Sequence, residues 1–207
     1  MKFSVLSSLA LVTPGVLASP TQRDVATIQA VVADIQNQVN SLQAAIESTP
    51  LDPDTIITQS NALVSTIEEG TVTVKEQEPL TSFESLDLIV PIQSLAADVD
   101  STVQSLISVK ADINKLGEGC TTLKALQAQA AASDKLADAI VAKIPADLEI
   151  IAVELAGTVS KAIQNGVDAY EGSCDVTEPT STTTTTTAEP TSTTTTTTRT
   201  ACPAPTK

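Results

Sequence analysis

This sequence predicts an all-α fold: an antiparallel bundle of about five helices followed by a disordered Thr-rich tail. Three observations carry the prediction. From Asp24 to Tyr170 apolar residues recur every three or four positions, the period of a helix face. Alternation of period two, the mark of a half-buried strand, is absent except over Val72 to Val74. Beyond Gly172 apolar residues give way to Thr, Ser and Pro.

The elements follow in chain order. Residues 1–18 read as a secretory signal peptide, with Lys2 before a short apolar run and small residues Val16 and Ala18 at the cleavage positions. The run is too short to span a membrane, and no later segment reaches the roughly 18 to 20 apolar residues that a transmembrane helix needs. Residues 19–175 form the expected helical domain. Its first helix carries Val25, Ile28, Val32, Ile35, Val39, Leu42 and Ile46 on one stripe, with Thr21 and Asp24 resembling a capping box or Asp24 itself as the cap. Pro50 stops it. Asp52-Pro53 restarts a helix with Asp as cap and Pro at the first helical position, on a stripe through Ile56, Ser60, Leu63, Ile67, Gly70 and Val74. Gly70 and the β-branched run after it predict fraying there. Thr81 to Leu116 is helical with a kink or break near Ile89 and Val90 imposed by Pro91, and Gly117-Glu118-Gly119 ends it. Cys120 to Ile144 is an Ala-rich helix. Pro145 and Asp147 lead into a last one lined by Leu148, Ala152, Leu155, Val159, Ile163, Val167 and Tyr170.

Three cysteines leave one unpaired in a secreted chain. If the last two helices are antiparallel, Cys120 and Cys174 flank the pair and can bridge; Cys202 is then free or joined to another chain.

Composition excludes several functions. Without the signal the chain has 10 basic and 25 acidic residues, a formal charge of −15 instead of −14. Such a chain repels phosphate backbones, and Phe83 and Tyr170 are its remaining aromatics, so nucleic acid is not an expected partner. The absence of His rules out Ser-His and Cys-His dyads and His-based zinc sites. No cofactor or metal is implied. Asp52-Pro53-Asp54 reads as capping and Glu68-Glu69 as a solvated face, so the chain is expected not to be an enzyme.

A bundle with broad apolar faces acts in one of two ways. It encloses an apolar ligand, or it lays those faces on a hydrophobic surface. The small inward residues Ser60, Gly70, Ala130, Ser133, Ala137 and Ala152 either leave room for a ligand or let helices approach closely.

The opening Gln22-Arg23-Asp24-Val25, leading into VATIQAVVADIQNQVNSLQAAI and some 150 residues of Ala-, Ser-, Thr- and Leu-rich helix, resembles the fungal hydrophobic surface-binding protein A family, which includes the antigenic cell wall galactomannoproteins. The resemblance implies a secreted helical domain that adsorbs to hydrophobic surfaces. In some members it helps recruit lipolytic or polyester-degrading enzymes; in others it encloses a long-chain fatty acid. The family has no motif that transfers lipid contacts, so the apolar stripes alone nominate lining residues: Phe83, Leu95, Val99, Leu106, Ile140, Leu155, Val159 and Ile163, each of which is otherwise plain core. The rival reading is a structural cell wall glycoprotein whose helical head is a spacer with no specific ligand.

The tail, residues 176–207, contains EPTSTTTTTT twice. It lacks the apolar residues needed to fold against the bundle and has the composition of an O-glycosylated stalk, with Thr182, Thr183, Thr184, Thr185, Thr186, Thr187, Thr193, Thr194, Thr195, Thr196, Thr197 and Thr198 as acceptors. A glycosylated tail of this kind would hold the head within cell wall polysaccharide, and its end lacks the apolar residues of a GPI signal.

Overall fold

The computed structural model describes residues 20–174, with side chains from Asp24 onward. The expected signal peptide, the Thr-rich tail with its glycosylation sites, and Cys202 lie outside the described residues. Within them are seven helices and no strand: α1 (Pro20–Ile46), α2 (Pro53–Lys75), α3 (Ser82–Leu86), α4 (Ile89–Ser108), α5 (Lys110–Lys115), α6 (Gly119–Val141) and α7 (Glu149–Tyr170).

All seven positions of the first stripe, Val25 through Ile46, are buried in α1, and each such burial stabilises the fold by roughly 1.5–3 kcal/mol. The helix begins at Pro20, so Thr21 and Asp24 lie inside its first turns instead of capping it. α2 starts as its sequence requires: Asp52 accepts from the Asp54 backbone N–H (3.2 Å) and from the Thr55 hydroxyl (2.6 Å). The Thr55 hydroxyl holds the Asp52 carboxyl below its ordinary value. The fraying expected at Gly70 does not occur, and α2 runs unbroken to Lys75. A Cβ at Gly70 would lie 2.5 Å from Val31 Cγ1, so the glycine lets α1 and α2 meet closely, and this tertiary contact outweighs weak local propensity.

The segment expected from Thr81 to Leu116 is three helices. Thr81 and Glu84 form a reciprocal capping box for α3. Pro91 is the third residue of α4, where a backbone N–H has no intrahelical acceptor, so it begins a helix without kinking one. A further break at Val109 separates α5. Gly117, at φ +84°, ends α5 in a Schellman turn, with Glu118 N–H donating to Ile113 C=O and Gly117 N–H to Asn114 C=O, both at 3.1 Å.

The five long helices close into a ring in the order α1, α2, α6, α7, α4. Consecutive long helices alternate in direction, as predicted, but an odd ring cannot alternate all the way round. Gln29 bonds to the Asp87 carbonyl (3.2 Å), Gln36 to Asp98 (2.5 Å) and Thr102 to Gln43 (3.4 Å), contacts that advance together along α1 and α4 and make them parallel. α4 and α7 are also parallel, since a Cβ on Gly166 would lie 3.0 Å from Val103 Cγ1 and the Tyr170 hydroxyl donates to the Leu106 carbonyl at 2.9 Å. α2 and α6 end together, where the Lys143 ammonium donates to the Lys75 (2.9 Å) and Gln77 (2.5 Å) carbonyls. α6 and α7 are antiparallel, through Ser160 to Asp134 (2.9 Å) and a Cys120–Cys174 disulfide with Cα atoms 4.4 Å apart. Thus α1, α4 and α7 point one way, and α2 and α6 the other.

Tyr170 is fully buried, with the Lys110 ammonium 5.7 Å from its ring centroid. Burial pushes its hydroxyl well above the ordinary tyrosine value. Because the folded pKa is raised, the stabilising contribution is complete below about pH 10, the value of an unfolded tyrosine, and is lost as pH rises beyond it. A Tyr170→Phe variant should lose about 1 kcal/mol at neutral pH and show a flatter decline in denaturation midpoint between pH 9 and 11. A wild-type midpoint that stayed level across that range would contradict this.

Candidate functional site: an apolar cavity open at one end

The ring surrounds a cavity with about 110 Å³ of space open to the centres of water-sized molecules. One water needs roughly 10–15 Å³ on that measure, so the space suits a chain-like molecule far better than a single solvent molecule. Every ring helix contributes. Val32, Ile35, Val39 and Leu42 come from α1, Leu63 and Ile67 from α2, and Ile89, Ile92, Leu95, Val99, Val103 and Leu106 from α4. α6 adds Leu126, Leu136, Ala137 and Ile140, and α7 adds Ile151, Ala152, Leu155, Ala156, Val159 and Ile163. The polar side chains in the wall are Ser85, Thr102, Gln129, Ser133 and Ser160, and none of the lining residues is charged.

Burial shows which end is open. Towards the disulfide the lining residues Leu42, Val103, Leu106 and Leu126 are all buried. At the other end Ile89, Ile92, Ile144 and Leu148 are only half-buried, and Ile151 is 46% exposed. From Glu149 to Lys161 no residue of α7 is buried; the helix joins the core only from Ala162. The first half of α7 is therefore a cavity wall with solvent behind it.

The loops at the open end are tied together. Leu80 N–H donates to the Lys143 carbonyl (2.7 Å), and the Ser82 hydroxyl to Asp147 (2.9 Å). Around them lie seven of the eight large apolar side chains that the described residues expose: Val72, Phe83, Leu86, Val90, Ile150, Ile151 and Val153, with Leu116 alone at the opposite end. Carboxylates fringe the same end. Residues 75–90 and 143–154 hold seven acidic residues against Lys75 and Lys143. Among the described residues no group of three or more potential metal ligands occurs, and no helix is long and apolar enough to cross a membrane.

Residues 25–142 match the family described as Hydrophobic surface binding protein A. The chain belongs to that family. It is 38% identical over 180 residues to Cell wall mannoprotein 1 of Aspergillus fumigatus, an alignment that covers 86% of this chain but 63% of that protein, so the chain spans under two thirds of the relative's length. Two solved structures share its fold. Ligand binding domain 1 of the Penicillium marneffei MP1 protein, complexed with arachidonic acids, is 30% identical with a TM-score of 0.69, over 72% of this chain and 99% of that one. Ligand binding domain 2 of the same protein, complexed with multiple arachidonic acids, is 29% identical with a TM-score of 0.70, over 72% and 97%.

Of the eight lining residues nominated from sequence, Leu95, Val99, Leu106, Ile140, Leu155, Val159 and Ile163 face the cavity of this family member. Phe83 does not: it is 86% exposed, because α3 is a separate short helix whose inward side presents Ser85 and then Leu88. The small residues divide between the two roles weighed for them. Ser133, Ala137 and Ala152 line the cavity, whereas Gly70 serves close packing, and Ser60 and Ala130 lie outside the lining. Gln129 was not nominated. Its place on the α6 series Leu126, Gln129, Ser133, Leu136, Ile140, spaced 3, 4, 3 and 4, is the signal that marks it as inward.

Proposed function

We propose that the chain is a secreted, non-enzymatic lipid-binding protein of the cell wall. It takes a long-chain fatty acid or similar lipid into its cavity, and it adsorbs to hydrophobic surfaces by the open end. The observation that carries this reading is the juxtaposition of an uncharged, apolar cavity with an entrance surrounded by exposed apolar side chains. The arachidonic acid complexes of the MP1 domains support the ligand class, and the cell wall mannoprotein relatives support the location. Burying a sixteen-carbon chain gains roughly 10 kcal/mol at about 0.8 per methylene before association costs, so binding needs no charged partner. The Thr-rich tail would hold the head in wall polysaccharide through its glycans. Secreted lipolytic enzymes are the protein partners that the family resemblance suggests.

Phe83, Val90 and Ile150 are exposed, so replacing all three with Ser leaves the fold within about 0.5 kcal/mol per site while removing the apolar rim. The variant is expected to lose most of its adsorption to polystyrene beads at an unchanged melting temperature. Native mass spectrometry of the secreted protein should also show co-purifying lipid. Equal adsorption by the variant and no recovered lipid would refute the reading and leave a folded spacer in its place.

A further inference from the structure

The polar residues of the cavity wall are not equivalent. Three have their hydrogen bonds met within the protein: Ser85 donates to the Thr81 carbonyl (2.9 Å), Thr102 to the Asp98 carbonyl (2.8 Å) and Ser160 to the Asp134 carboxylate (2.9 Å). Gln129 is different. Its residue is 6% exposed, it lines the cavity, and its side-chain amide engages no protein group among the described residues. Ser133, one turn further on the same face of α6 and half-buried, is likewise without a side-chain partner there. Among the described residues the fully buried side-chain polar atoms without a partner are Asn114 Oδ1 and Ser173 Oγ, so the unpartnered Gln129 amide instead faces accessible cavity space, where the polar group of a ligand can pair with it.

Position and charge say what would pair with it. Gln129 lies one turn from Leu126, which meets Gly166 in the closed half of the cavity, and twelve residues before Val141 towards the opening. At 1.5 Å per residue that is about 18 Å, the reach of a long alkyl chain. No lysine or arginine lines the cavity. An ionised head group at that depth would be desolvated with no counter-charge, which is strongly unfavourable. An amide offers two donors and an acceptor, and so serves a hydroxyl, an ester, an amide or a protonated acid.

We propose that the cavity receives a long-chain lipid head-first, and that Gln129 is the specificity residue that hydrogen-bonds its uncharged polar head. The inference rests on the lipid-binding reading above and adds the orientation and the head-group class. In it the alkyl chain runs from Gln129 back to the apolar rim, so the methyl end and not the head lies at the entrance.

The test displaces a fluorescent alkyl probe from the full secreted chain with hexadecane, 1-hexadecanol and hexadecyl sulfate delivered on a carrier. Wild type should bind hexadecanol at least tenfold more tightly than hexadecyl sulfate, whose permanent charge cannot be desolvated at Gln129. Gln129→Met, close in shape and apolar, should lower the ratio of hexadecanol to hexadecane affinity about fivefold while leaving hexadecane binding intact or improved. Equal wild-type binding of the alcohol and the sulfate, or an unchanged ratio in the variant, overturns the proposal while leaving lipid binding standing. Wild type that takes up none of the three, the probe included, removes the lipid reading and this inference together. If Gln129→Met fails to fold, the wild-type comparison of alcohol and sulfate decides alone.

Discussion

Removing the Cys120–Cys174 bridge is expected to lower the stability of the helical ring by about 4 kcal/mol, the entropy that a closed loop of this length takes from the unfolded chain. The effect should be large here because of where the bridge sits. α7 is held in the ring by Ala162, Ile163, Gly166, Val167 and Tyr170 in its second half, while no residue of its first half is more than half-buried. The bridge fastens that second half to the start of α6. A domain of this size loses roughly 2–4 °C per kcal/mol, so a Cys120→Ser/Cys174→Ser variant should melt about 8–16 °C below wild type. The double variant is preferable to chemical reduction because it leaves Cys202 unchanged. A melting temperature within 2 °C of wild type would mean that packing alone retains α7.

The second large effect concerns the cavity. Ala137 on α6 and Ala152 on α7 both line it and are half-buried, so a phenylalanine at either position has room to enter. A ring there excludes about five methylenes of a bound chain, which at about 0.8 kcal/mol each is roughly 4 kcal/mol, or a thousandfold in affinity. Stability should stay level or rise, because the ring fills space that otherwise forfeits packing contacts. Fluorescent fatty acid titration together with a thermal melt separates the outcomes. Retained affinity with a depressed melting temperature would show that the space is not available to a ligand.

Much of the fold was legible in the sequence because one physical rule governs most of it. Where a helix buries one stripe against a filled core, as α1 does from Val25 to Ile46, period alone identifies both the helix and its inward face. Caps and breaks were legible for the same local reason: Asp52-Pro53 and Gly117 act within a few residues of themselves. What was missed depended on distant neighbours. Gly70 reads as a weak point until Val31 is placed against it, and nothing local separates α4 from α5 at Val109. The cavity was partly legible, since a lining stripe and a core stripe are the same pattern. Leu155 and Val159 occupy positions of α7 equivalent in period to Ile163 and Val167, yet the first two are half-buried beside empty space and the latter two are buried. Phe83 shows the converse: an aromatic residue draws attention as a contact, but α3 turns it to solvent.

The directions of the ring helices also bear on what the open end can touch. α1, α4 and α7 start there, and α2 and α6 finish there. Backbone dipoles leave partial positive charge at helix starts and partial negative charge at helix ends, and side chains of opposite sign stabilise each by about 0.3–1 kcal/mol. Part of the fringe follows that pattern: Asp87 precedes α4, Asp147 and Glu149 flank the start of α7, Lys75 ends α2 and Lys143 follows α6. Three of the seven carboxylates at the entrance thus suit the helix starts they flank, whereas Glu76 and Glu78 stand at the end of α2 and do not. Exchanging Asp87, Asp147 and Glu149 for basic residues suited to anionic bilayers would weaken the starts of α4 and α7, two of the helices that wall the cavity.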